Sequence, residues 1–146
     1  LSKIICATKA AQNSRLVHEA AFRLADELGL ELEFLHVIAV PNYEDLMEPL
    51  QDAVRAELHW LVHSLTRISR QRVGLSGISP SVEVVSGNIS EAILRRVEDG
   101  DVEVLIMGTP DADDSQFASS LESFLLEVNQ TNTRVELVPD PTPHKN

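Results

Sequence analysis

The residues best equipped for chemistry in this 146-residue chain are few, and most lie at the ends of its apolar runs. Asp111, Asp113 and Asp114 follow the run Val102 to Met107. Three such carboxylates could approach a divalent cation, but Asp-x-Asp-Asp alone lacks the further oxygen ligands such an ion takes. As a solvated turn they would instead place favourable anions at the start of a following helix. Lys9, at the end of the first apolar run, could hold an anion or pair with those aspartates, and the pairing is the plainer reading. His59 and His63 stand four apart, a spacing that can chelate a metal from one helix face. No third ligand accompanies them, and a helical wheel sets both opposite the apolar stripe of their helix, so they read as surface histidines. His36 lies in a strand-like run, where a satisfied sheet histidine is expected rather than a catalyst. Cys6 has no motif partner and reads as a buried thiol. No Gly-x-Ser-x-Gly elbow, Cys-x-x-Cys pair or P-loop is present, so hydrolytic and redox catalysis have no residues to argue from.

Composition bounds the rest. A chain that is 43% hydrophobic with six glycines and seven prolines fits one globular domain with a sizeable core. Twelve basic against twenty-three acidic side chains give a net charge of -11, which repels a phosphate backbone and argues against a nucleic-acid partner. A single cysteine permits no internal disulfide and suits a reducing compartment. No apolar run approaches the roughly 20 residues that span a bilayer, so membrane insertion is not expected and a cytoplasmic location is. The first residue is not Met, which fits either a trimmed chain or one domain of a longer protein.

Periodicity supplies the elements. Lys3 to Thr8 reads as a first buried strand, and Val17, Ala20, Ala21, Leu24 and Leu28 recur at helical spacing before a stop at Gly29. Leu32 to Val40 reads as a second strand and Pro41 to Asp45 as a turn. Leu50, Val54, Leu58, Leu61, Leu65 and Ile68 predict a long helix with its apolar stripe across one face of the sheet, ending near Gly74. Val82 to Val85 is a third strand. A helix then carries Ile89, Ile93 and Val97, capped by Asn88 or Ser90. Val102 to Met107 is the most continuous apolar run and is expected to be central. A last helix carries Phe117, Leu121, Phe124 and Val128, and Val135 to Val138 closes a fifth strand. Pro139, Pro141 and Pro143 announce a frayed tail, so the domain is placed at residues 1–139 and the tail at 140–146. Strands alternating with helices predict an α/β fold, an open doubly wound five-stranded parallel sheet with helices on both faces. Such sheets bind at the carboxyl ends of their strands.

Several pieces of the chain, in this order and spacing, resemble the universal stress proteins over nearly its whole length. They are the opening strand ending in Ala7-Thr8, Leu35-His36-Val37, the run from Gly87-Asn88 to Ala92-Ile93, the run from Asp101 to Gly108-Thr109, and the terminal strand. The resemblance implies an adenine nucleotide α-hydrolase-like sandwich with strand order 3-2-1-4-5. It also implies a homodimer made through the last strand, Val135–Val138. In the nucleotide-binding branch of that family, ATP is held by an acid after the first strand and by a Gly-x2-Gly-x9-Gly-Ser/Thr run after the fourth. Here Lys9 stands where the acid is expected, after Ala7 and Thr8. Gly108 matches the first glycine, but the second position is Asp111, the third Leu121 and the hydroxyl position Glu122. A loop two residues shorter would put Ser119-Ser120 at the Gly-Ser place, with Ser120 capping the last helix. Gly87 matches a position near the ribose and Val37 one near the adenine, although a turn glycine and a core valine explain both. Like charges at close range cost roughly 1–4 kcal/mol each at surface-like dielectric, so the three aspartates oppose polyphosphate.

The resulting expectation is a non-catalytic stress-response domain that works by dimerising and contacting other proteins, with no cofactor and ATP disfavoured. The alternative is a nucleotide or small-molecule sensor in the same fold, such as the cytosolic module of a transporter. An enzyme of the wider hydrolase-like group would need a phosphate loop near the first strand, and Thr8-Lys9-Ala10-Ala11 does not offer one.

Overall fold

Strand β1 (Lys3–Lys9) has apolar side chains on both faces, so the chain must supply helices to both sides of the sheet. In the computed structural model, which describes residues 2–9, 14–109 and 115–139, it does so by alternating five strands with four helices. The further strands are β2 (Glu31–Val37), β3 (Ser81–Val85), β4 (Val102–Gly108) and β5 (Arg134–Val138). All neighbouring pairs are parallel, and the order is β3-β2-β1-β4-β5. The helices are α1 (Ser14–Leu28), α2 (Glu48–Val73), α3 (Ile89–Val97) and α4 (Ser115–Asn129).

The period-two alternation of the strands divides the core. Ile4 and Cys6 of β1 join Leu32, Phe34, Val104 and Ile106 under α1, where Val17, Ala21, Phe22 and Ala25 are buried against them. Ile5 and Ala7 join Leu35, Val37, Leu105 and Met107 under α3 and α4, which contribute Ile93, Val97, Phe124 and Val128. A third, smaller cluster of Ile38, Tyr43 and Val84 receives Val54 and Leu58 from α2. Asn88 rather than Ser90 caps α3: its side-chain oxygen accepts from the Ser90 and Glu91 amides at 2.9 and 3.2 Å.

Four expectations need correction. The central strand is β1, not β4, which lies beside it; a long apolar run marks a strand covered on both faces but not its rank in the sheet. Strand β2 stops at Val37, because after the Ile38 amide donates to Val85 O at 2.8 Å the chain turns through Asn42 (φ 59°) into a short helical turn at Tyr43–Asp45. On α1 the buried face is Val17, His18, Ala21, Phe22 and Ala25, while Leu28 is exposed. On α2 the buried positions are Val62, Thr66 and Ser69, flanked by Val54, Leu58 and Val73, whereas Leu50, Leu61 and Ile68 face water. Small side chains let the helix lie close to its neighbours, and Thr66 satisfies its hydroxyl on its own helix by donating to His63 O at 2.8 Å. The expected tail at 140–146 and the turn at 110–114 lie outside the described residues.

The amino ends of the strands are held by one guanidinium. Arg96, in the last turn of α3, forks onto Glu33 of β2 through Nε (2.8 Å) and Nη2 (3.2 Å). It also forks onto Asp101, just before β4, through Nη1 (2.7 Å) and Nη2 (3.2 Å). The Lys3 ammonium sits 4.0 Å from both carboxylates. These hydrogen bonds hold the Arg96 guanidinium charged far above its ordinary value and pull Asp101 below its own. Glu33 is buried, so truncating Arg96 removes both of its charge-assisted hydrogen bonds and leaves only the more distant Lys3 ammonium at 4.0 Å. Arg96→Met is therefore expected to cost about 3 kcal/mol, read as a lower urea midpoint at unchanged slope; a midpoint like the parent's would refute the clamp.

Candidate functional site

The carboxyl ends of β1, β2 and β4 form the crevice that the topology singles out. Lys9 closes β1 in register with Val37, which closes β2. Ala7 lies between Leu35 on one side and Met107 on the other. Gly108 closes β4 in register with Val138. The sheet therefore brings Ala7, Lys9, Val37 and Gly108 to one edge, with Gly87 following β3 at the same end.

Local geometry gives several of these positions a structural reason. Val37 is fully buried and Ala7 nearly so, both within the core under α3 and α4. Gly87 has φ 111°, a backbone region that L side chains rarely adopt, so the turn into α3 itself requires glycine. A side chain at Gly108 would place its Cβ 3.4 Å from Val17 Cγ2, so the first turns of α1 lie close against the end of β4. Lys9 is exposed. The aspartates with which it was expected to pair lie outside the described residues.

Ser120 does not cap the last helix. Helix α4 begins at Ser115, so Ser120 lies within its second turn and is exposed. The apolar spacing of Leu121, Phe124 and Val128 extends back in sequence to Phe117, and no glycine or proline between Ser115 and Leu121 stops the helix from starting early. Only residues 109–114 connect β4 to α4.

Beneath the crevice, on the α1 side, lies a polar pair and an isolated ring. His36 and Thr8 are register partners, with Thr8 Oγ1 2.9 Å from His36 Nδ1, so His36 is a satisfied sheet histidine as expected. His18, on the buried face of α1, is 1% exposed and packs edge-on to Phe34 at 4.8 Å. Neither of its ring nitrogens has a hydrogen-bond partner. Burial, with a smaller contribution from His36, pushes its pKa down to about 4, and burial lowers that of His36 as well. Sequence reasoning passed over His18, although Val17, His18, Ala21, Phe22 and Ala25 fall on one helical arc. Cys6, fully buried in β1, has its thiol pushed far up by desolvation. His59 and His63 are exposed, and no group of three or more metal-ligating side chains occurs among the described residues. No helix among them is long and apolar enough to cross a membrane.

These features define an open doubly wound α/β domain with its five parallel strands in the order β3-β2-β1-β4-β5. The universal stress protein family matches residues 1–127, and the chain belongs to that family. Its fold is similar to that of a universal stress protein from Burkholderia pseudomallei (TM-score 0.64, 22% identity, 95% of this chain and 96% of that one). It is also similar to a universal stress protein in complex with cAMP (TM-score 0.59, 14% identity, 94% and 95%). A third similar structure is the universal stress protein from Archaeoglobus fulgidus in complex with dAMP (TM-score 0.61, 16% identity, 94% and 97%). None of the curated proteins compared with the chain matches it significantly in sequence.

The buried imidazole makes stability depend on pH with a definite sign. His18 is neutral in the folded chain down to about pH 4, whereas an unfolded histidine takes up a proton near pH 6.5. Stability is thus full above pH 6.5 and falls as pH drops toward 4, by roughly 3 kcal/mol. His18→Leu removes two unsatisfied nitrogens and is expected to unfold no more easily at pH 7 and to flatten this decline. Urea midpoints measured across that range check it; an unaltered slope would assign the decline to other groups.

Proposed function

We propose that this chain is a non-catalytic regulatory domain that acts through self-association and protein contacts, and that its crevice does not take ATP. The observation that supports this most is the length of the connection after β4. Six residues, 109–114, lead from Gly108 to α4, and Asp111, Asp113 and Asp114 are among them. A backbone that wraps three phosphates needs a longer run of small residues with N–H groups free to converge on the oxygens. Lys9 replaces the acid expected beyond β1, and Gly87 is accounted for by the turn into α3.

Titration calorimetry with ATP and Mg²⁺ tests the reading, together with mass spectrometry for a co-purified ligand. Binding weaker than about 1 mM is expected; a micromolar constant would overturn the reading that the crevice does not take ATP. A second reading has a specific support: two structures of similar fold hold cAMP and dAMP, which carry one phosphate each. A single phosphate meets far less repulsion from the aspartates than a triphosphate does. Saturable heat with a mononucleotide but none with ATP would favour a sensing role.

Self-association is assigned to β5, whose outer edge has no strand partner among the described residues and so presents backbone groups for pairing. Val135 and Leu137 are only partly buried there. Leu137→Arg is expected to shift the mass by light scattering to that of a smaller species; an unchanged mass with native circular dichroism would count against β5.

A further inference from the structure

Strand β3 is the other edge of the sheet, with β2 on one side and no strand on the other among the described residues. Its hydrogen bonds show which backbone groups point outward. Val85 O accepts from the Ile38 amide at 2.8 Å, on the β2 side. Residues alternate in direction along a strand, so the N–H and C=O groups of Val82 and Val84 point away from the sheet. Such groups are a template for a further strand.

Helix α2 covers that template with arginine side chains. Arg55 donates from Nη1 to Val84 O at 3.5 Å and from Nη2 to the Tyr43 hydroxyl at 3.4 Å. Tyr43 is 5% exposed and is tied back to the same helix. Its hydroxyl donates to Gln51 O at 3.2 Å, and Gln51 Nε2 donates to Tyr43 O at 3.0 Å. The guanidinium is thus seated against a buried ring, and in a chain with twenty-three acidic side chains it pairs with no described carboxylate. Ahead of β3 the pattern repeats: Arg70 donates to Ile78 O at 3.0 Å, and Pro80 has no N–H to offer. On β5, by contrast, Arg134 turns to Glu136 of its own strand at 2.9 Å.

We propose that Arg55 is an autoinhibitory contact that closes the β3 edge to a second copy of this chain and leaves strand pairing to β5. A strand arriving beside β3 must displace the guanidinium from Val84 O or cover a charge that has lost its acceptor. The consequence is for stoichiometry, and it rests on the reading of β5 as the associating edge. One open edge pairs with itself and stops at two copies, whereas two open edges let copies add without end.

The test is Arg55→Ala in the full chain, followed by light scattering from about 1 to about 300 μM and by amide hydrogen exchange at Val82 and Val84. The parent should level at two chains. Arg55→Ala should keep native circular dichroism, rise beyond two chains with concentration, and slow exchange at both amides at least about tenfold in the assembled species. Adding Leu137→Arg should stop that growth at two chains while the slowed exchange remains. If Leu137→Arg alone leaves the parent's mass unchanged, the β5 reading fails, and slowed exchange in Arg55→Ala still carries the closed edge. Should the alanine variant lose native circular dichroism, Arg55→Met is read in its place. Leu58→Ala controls for lost stability, since it trims the same apolar cluster without touching the edge, and its mass should follow the parent's. An Arg55 variant with the parent's mass, growth without slowed exchange, or equal growth with Leu58→Ala would each overturn the closed edge.

Discussion

Strand β1 is hydrogen-bonded on both edges and covered on both faces, and the rest of the molecule follows from satisfying it. A strand with apolar residues at successive positions cannot lie on a surface. Parallel neighbours need crossovers, crossovers turn right-handed, and helices arrive on both sides of the sheet. Arg96 completes the arrangement at the amino ends, where α3, β2 and the turn before β4 converge on its guanidinium. The carboxyl ends, by contrast, are joined by turns and carry the variable chemistry. The ion cluster and the candidate crevice thus lie at opposite ends of the same strands.

At the functional end, geometry separates what the fold requires from what a ligand would require. Gly87 and Gly108 both match nucleotide-site glycines when read in sequence, yet the positive φ of Gly87 gives that one a local explanation. Lys9 has no such explanation in the backbone, and it reverses the sign of the charge expected at the end of β1. The short connection to α4 points the same way.

The five strands and a cap at Asn88 or Ser90 were legible because they rest on local signals, apolar runs and side-chain oxygens beside free N–H groups, whereas the strand order came from the resemblance to the universal stress proteins. The rank of β4 was not, since burial on two faces is shared by every inner strand. The arcs of α1 and α2 were also misplaced. An apolar stripe counted in sequence assumes that every leucine is inside, whereas α2 buries Thr66 and Ser69 and leaves Leu61 in water. The ion cluster was invisible for another reason: Glu33 and Arg96 are 63 residues apart, and nothing local to either signals the other. His18 and the position of Ser120 were missed through local choices, an apolar count that skipped a polar residue and a helix start set by analogy.

Cys6 sits at the middle of β1 with no accessible surface. Its sulfur meets solvent only when the sheet itself comes apart, because both covering layers and both neighbouring strands must leave. A thiol in that position is chemically silent in the native protein, whatever oxidants surround it. Trapping by a thiol reagent would thus count whole-molecule openings one at a time, and the native state carries its own clock for kinetic stability.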